Sequence, residues 1–206
     1  MKKIILLLAL IMISSCKKNE TKGEIKIGNQ IWLAKNLDVD SFTNGDKITE
    51  AKTNEEWNFA SNNKIPAYCY YENNKANGAV YGKLYNFYAV NDSRGLAPKG
   101  WHIPNKQEWI ILSNCLGGNK IAGYKMKSQT GWDISGNGNN ESKFSGLPGG
   151  FRFDKGEFYT QLGNFWSITE SPISNIEVLI LDNGTSTTSF TPFGKGFGMS
   201  VRCIKN

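Results

Sequence analysis

Gly95-Leu96-Ala97-Pro98-Lys99-Gly100-Trp101-His102-Ile103-Pro104-Asn105-Lys106-Gln107-Glu108-Trp109 is the stretch on which the fold turns. Asn105 followed three residues later by Glu108 forms a capping-box pattern, in which a side-chain oxygen takes an orphan helix N–H and the acid reaches back. Trp109, Leu112 and Leu116 then share one face, and Gly117-Gly118 supplies a stop. The spacing predicts an amphipathic helix that starts after Asn105 and buries Trp109.

Upstream, the chain reads as short elements between turns. Glu24–Ile27 and Gln30–Ala34 alternate on either side of Gly28-Asn29, a two-residue hairpin signal. Thr53-Asn54-Glu55-Glu56 is a second capping box and predicts a short helix over about Asn54 to Ser61, with Trp57 and Ala60 on its inner face. Pro66 to Tyr71 reads as a strand. Tyr81, Leu84, Tyr85 and Tyr88 fall on one helical face, which predicts a helix within Tyr81–Val90. Downstream, Gly131–Asn140 is a long polar loop. Strands are expected at Phe151–Phe153, Glu157–Tyr159, Phe165–Thr169, Ile176–Leu181, Thr187–Phe190 and Met199–Ile204, with Asp182-Asn183-Gly184 as a turn.

The aromatic residues must supply the core. The chain has 6 Trp, 8 Tyr and 11 Phe, and 22 Gly favour tight turns over long helices. An α+β domain follows, with short helices packed on small twisted antiparallel sheets and many loops. Lysine and arginine are scattered without a basic stripe, so nucleic acid is not an expected partner.

The N-terminus carries a different message. Met1-Lys2-Lys3 is basic, and Ile4–Ile13 is an apolar run too short to span a bilayer as a helix, which takes about 20 residues. This is the pattern of a cleaved secretory signal over residues 1–15. Ile13-Ser14-Ser15-Cys16 resembles the lipobox of bacterial lipoproteins, which implies a lipid on Cys16. Residues 16–23 then read as a solvated tether and 24–206 as one domain. Loss of Lys2 and Lys3 lowers the formal charge from +6 to +4. The expected location is the cell envelope, lipid-anchored at the outer membrane on its periplasmic or its surface face, with the membrane as a partner through the lipid.

Several long words in the sequence resemble one family. They are Ile27-Gly28-Asn29-Gln30-Ile31-Trp32, Lys35-Asn36-Leu37, Tyr68-Cys69-Tyr70-Tyr71, Tyr81-Gly82-Lys83-Leu84-Tyr85-Asn86, Gly95 to Pro104, Leu147-Pro148-Gly149-Gly150-Phe151-Arg152 and Ser200-Val201-Arg202-Cys203. In this order they resemble the Fibrobacter succinogenes major paralogous domain. The resemblance implies a C-type-lectin-like fold distantly similar to formylglycine-generating enzymes, on secreted or lipid-anchored bacterial surface proteins, and no known activity. Cys115 and Phe87 depart from the family pattern, Phe87 standing where tryptophan is usual.

An exported chain folds in an oxidising compartment. With Cys16 lipidated, Cys69, Cys115 and Cys203 remain. Cys69 and Cys203 lie in strand candidates and in family motifs, so a Cys69–Cys203 disulfide is expected, with Cys115–Cys203 as its competitor.

Chemistry is sparse. His102 is the single histidine, and a catalytic role would need a positioned partner. The cysteines lack metal-binding spacing, so neither a metal nor a cofactor is expected. The sugar-binding motifs of calcium-dependent lectins are missing, and Cys203 alone does not supply the cysteine pair of formylglycine-generating enzymes. Trp132 and Trp166 are the candidate stacking platforms for a glycan, and Arg152 is the candidate polar contact. The reading is a non-catalytic binding module for a polysaccharide or a surface protein. The alternatives are an enzyme related to the formylglycine-generating group and a structural surface component.

Overall fold

The computed structural model describes residues 23–133 and 135–206. The expected leader over 1–15, Cys16 and the tether up to residue 22 lie outside the described residues.

The chain opens on the hairpin β1 (Glu24–Ile27) and β2 (Gln30–Leu33), followed by β3 (Thr49–Glu50), α1 (Asn54–Asn62) and β4 (Ala67–Cys69). Next come two single helical turns, α2 (Gly78–Tyr81) and α3 (Phe87–Val90), with β5 (Leu84–Asn86) between them. β6 (Trp101–His102) leads into α4 (Lys106–Cys115) and α5 (Asn119–Met126). The second half holds β7 (Phe151–Arg152), β8 (Phe158–Tyr159), β9 (Leu162–Glu170), β10 (Ile176–Asp182), β11 (Thr188–Phe193), β12 (Gly198–Met199) and β13 (Ile204–Lys205).

These make an α+β fold on three small sheets, ordered β1-β2-β13-β6, β11-β10-β9 and β3-β4-β5-β12-β7-β8. The pairings between these strands are antiparallel except β3 with β4, and isolated parallel bridges join Phe165 to Ser200 and Gly150 to Gly163. The last strand, β13, lies between the N-terminal hairpin and β6, so the two ends of the domain close on each other.

Both capping boxes form. Thr53 caps α1 with Glu56 reciprocating, and Asn105 caps α4 with Glu108 reciprocating. Trp109 is wholly buried and stacks on Trp32 with ring centroids 4.6 Å apart. Around this pair Leu112, Phe144, Phe165, Leu179 and Leu181 build one core cluster. A second cluster gathers Tyr68, Tyr70, Tyr85, Trp166, Met199 and Cys203, and a third packs Trp57 and Ala60 of α1 on Cys69 and Leu84. The sheet β9–β10 separates the first two, because alternate residues of a strand face opposite sides: Phe165 and Leu179 point one way, Trp166 and Val178 the other.

Two expectations are corrected, and one helix is new. Tyr81–Val90 is not one helix. Gly82 sits at φ +71°, where a Cβ would lie 2.7 Å from the Leu37 carbonyl oxygen, and this reversal ends α2. Leu84–Asn86 then pairs with β4 and β12, so tertiary pairing overrides helical periodicity. Met199–Ile204 is not one strand, since Ser200–Cys203 leaves the ladder to bond Trp166, Leu37 and Leu33 instead. The helix α5, which begins directly after the Gly117-Gly118 stop, was not anticipated.

The expected Cys69–Cys203 disulfide is also corrected: Cys69, Cys115 and Cys203 are all free thiols. Strand alternation is the reason. β4 sends Tyr68 into the cluster that holds Cys203, as it does the following Tyr70, and turns Cys69 to the opposite face, against Trp57 and Leu84. Burial pushes both inner thiols up to about 12.

Two measurements test this frame. Asn105→Ala is expected to cost about 1 kcal/mol, one lost cap, and Trp109→Ala about 3–5 kcal/mol, a core cavity; urea unfolding distinguishes them, and equal small losses would misplace the helix face. With a thiol reagent at pH 8, exposed Cys115 should react at once, while Cys69 and Cys203 react only after unfolding, since neither is accessible or ionised in the native state.

Candidate functional site

The two arginines of the long motifs are structural anchors. Arg152 is wholly buried and every guanidinium N–H finds an acceptor: Gly156 O at 2.8 Å, Ala51 O at 3.0 Å, Asn73 Oδ1 at 3.1 Å, Thr53 O at 2.8 Å and Asn54 Oδ1 at 3.3 Å. Its plane is flanked by the Trp57 and Phe158 rings, 4.9 and 4.7 Å from their centroids. Arg152 therefore offers no donor to a ligand, contrary to its candidacy. Trp166 is wholly buried as well, with its Nε1–H donated to the Tyr85 carbonyl at 2.8 Å and its ring against Phe87. It is a core pin and cannot stack on a solvent-borne sugar.

His102 bridges three parts of the chain. Its Nε2 lies 2.8 Å from Glu108 Oε1 and its Nδ1 2.7 Å from Asn206 Oδ1. Glu108 Oε2 meanwhile accepts the Asn105 backbone N–H at 2.8 Å. The imidazole thus ties β6 and the C-terminal residue to the cap of α4, with one carboxylate and one amide rather than two acids. Among the described residues no group of three or more His, Cys, Asp or Glu side chains is arranged to hold a metal ion.

Trp132 is the one candidate that reaches a concave surface. Its Nε1–H is donated to the Gly146 carbonyl at 2.9 Å, and Lys127 places its ammonium 5.1 Å from the ring centroid. That ammonium is fixed by the Asp182 and Thr185 carbonyls at 2.9 and 2.8 Å, and burial holds its pKa below the ordinary lysine value. Trp132 is only 6% exposed, so it presents an edge, not a face. The edge joins Asp133, Ser135 and Asn183 around an open depression of about 690 Å³.

The depression is made by two loops that meet. Asn183 comes from the β10–β11 turn, where Asp182 Oδ1 accepts the Gly184 N–H at 2.7 Å. Asp133 and Ser135 come from the glycine-rich loop after α5, which is tied down by Gly138 N–H to Ser128 O at 2.9 Å and Asn139 N–H to Tyr124 O at 3.0 Å. Gly136 packs so closely on Asn183 that no Cβ would fit there. Asn183 Nδ2–H points to Asp133 Oδ2 at 3.4 Å, while Asn183 Oδ1 is buried with no hydrogen-bond partner among the described residues.

Asp133, Ser135, Asn183 and Lys127 were not singled out from the sequence. Their loops were legible as loops, but the contact of residue 133 with residue 183 is non-local and leaves no periodic or motif signal.

No helix among the described residues is long and apolar enough to cross a membrane. No curated protein and no solved structure matches the chain. The family model of the Fibrobacter succinogenes major domain matches residues 25–205, nearly the whole described domain, and the chain belongs to that family.

Proposed function

We propose that this chain is an exported lipoprotein of the cell envelope, anchored through Cys16, whose folded domain is a non-catalytic binding module for a glycan. The binding site is the depression formed by Trp132, Asp133, Ser135 and Asn183.

The observation that carries this reading is the pair of oxygens at its wall. Asn183 Oδ1 is buried with no hydrogen-bond partner among the described residues, and an unmet buried acceptor costs about 1–3 kcal/mol. A ligand hydroxyl removes that cost by donating to it once the Gly136 backbone that covers this oxygen shifts aside. Asp133 Oδ2, whose protein partner is a long 3.4 Å contact, can accept a second, neighbouring hydroxyl. Adjacent hydroxyls held between an amide oxygen and a carboxylate, beside an aromatic edge, describe a sugar ring better than an apolar or an anionic ligand. The lining holds one carboxylate and no second acid or base, which favours binding over acid–base chemistry.

Two tests apply. Cys16→Ala should block processing or free the protein from membranes, read by fractionation; a wild-type mature N-terminus that mass spectrometry finds unacylated would sink the anchor. On a glycan array, wild-type protein should bind a defined set of sugars. Asp133→Ala and Asn183→Ala should each weaken that binding by about tenfold or more, or about 1.4 kcal/mol, with little change in melting temperature. Trp132→Ala is not a clean probe, because its ring belongs to the core and its loss should cost about 3–5 kcal/mol of stability. Binding that survives both polar substitutions would place the ligand elsewhere.

A further inference from the structure

A second concave surface lies apart from the depression at Trp132. The segment Thr49-Glu50 forms β3, the terminal strand of the six-stranded sheet, and α1 follows three residues later. Helical spacing turns Trp57, Ala60 and Ser61 of α1 inward. It leaves Phe59 outward and 61% exposed, a large ring on an otherwise polar face. Between strand and helix runs a groove of about 520 Å³ lined by Thr49, Glu50, Glu55, Glu56, Phe59, Ala60 and Ile65.

Its charge is unlike that of the molecule around it. The chain has a formal charge of +6, yet three carboxylates line this groove. Elsewhere on the surface Glu24, Glu141, Glu170 and Glu177 each hold a lysine ammonium at 2.9–3.0 Å. The groove's acids have other company. Glu56 Oε2 accepts the Lys52 and Thr53 backbone N–H groups at 2.6 and 3.3 Å, and Glu50 Oε2 lies 3.5 Å from the Tyr68 hydroxyl. These contacts include no ion pair, and the carboxylates lie beside an apolar floor of Phe59, Ala60 and Ile65.

We propose that this groove docks an extended peptide segment of a partner protein, carrying lysine or arginine next to apolar side chains. Charge complementarity selects the basic residue, since an ammonium placed among Glu50, Glu55 and Glu56 meets three carboxylates, none of which holds an ion pair among the described residues. Phe59 and Ile65 take the neighbouring apolar side chain. The terminal position of β3 selects an extended backbone, because an unpaired sheet edge accepts another strand. The volume suits a few side chains rather than a folded domain.

The test uses the full-length protein, expressed with its own leader and purified in detergent. The probe is a fluorescent, end-blocked peptide of alternating valine and lysine, with a valine–glutamate peptide as control, read by anisotropy. Saturable binding of the lysine peptide alone is expected, weakening as salt rises. The double variant Glu50→Gln, Glu55→Gln and the single variant Phe59→Ser should each bind about tenfold more weakly, with melting temperatures close to wild type because all three side chains reach solvent. Asp133→Ala should bind the peptide as wild type does, which separates this surface from the glycan site. Absence of saturable binding, equal binding of the glutamate peptide, or variants that bind as wild type would overturn the proposal. So would self-association abolished by Phe59→Ser, which would place a second copy of this chain in the groove.

Discussion

A guanidinium withdrawn from water has five N–H donors and a fixed charge, and it stays folded inside a protein only where acceptors stand ready in its plane. This molecule buries two of them without a carboxylate partner among the described residues. Arg152 is met by three backbone carbonyls and two asparagine amides. Arg202 is met by Asn36 Oδ1, twice, and by the Leu33 and Phe144 carbonyls, with its plane 4.1 Å from the Phe144 centroid. Burial pushes the Arg202 pKa down to about 9, a direct sign of the desolvation it bears. Loss of any one acceptor would leave a charged donor unmet in the interior, the costliest kind of polar defect.

The acceptors explain the architecture. Short strands and frequent turns leave many carbonyls outside regular ladders, and those carbonyls would be a liability if nothing claimed them. The arginines claim them. Arg152 joins the entry to α1, the bend near Asn73 and the β7–β8 turn, three segments with no common sheet ladder through that point. Arg202 joins the N-terminal hairpin, the Asn36 loop and the loop before β7. Asn36 extends the second network by donating to Tyr81 O at 2.9 Å. This is also why Ser200–Cys203 leaves the strand register: Arg202 has to turn inward there, and its neighbours bond whatever faces them.

What was legible in the sequence follows the range of the interaction. The capping boxes at Thr53 and Asn105 and the Gly28-Asn29 hairpin are set within a few residues, and each forms where its pattern stands. Aromatic abundance correctly foretold an aromatic core and helical spacing placed Trp57 and Trp109 in it, whereas Trp166, read as a glycan platform, is buried there as well. Abundance could not say that Trp132 would keep an edge in a depression, since that depends on loops about fifty residues apart. β5 escaped the helical reading because its partners β4 and β12 are distant in the chain. Cys69 and Cys203 shared every local qualification for a disulfide, and strand parity alone, invisible until β4 is paired, put them on opposite faces.

The same logic separates scaffold from site. The arginines and His102 hold segments together through their hydrogen bonds, while a few buried polar atoms, among them Trp32 Nε1 and both amide atoms of Asn164, have no partner among the described residues. At the Trp132 depression an amide oxygen of Asn183 is another, enclosed without a donor among the described residues in a turn whose Asp182 and Thr185 carbonyls hold the Lys127 ammonium. The loops that meet there are short of side-chain bulk, with Gly136 pressed against the Asn183 amide and Gly138 against the Tyr124 and Lys127 carbonyls. A wall that leaves its own acceptor unmet carries a cost that the rest of the fold must offset, and the proposed ligand hydroxyl would remove that cost at the binding step.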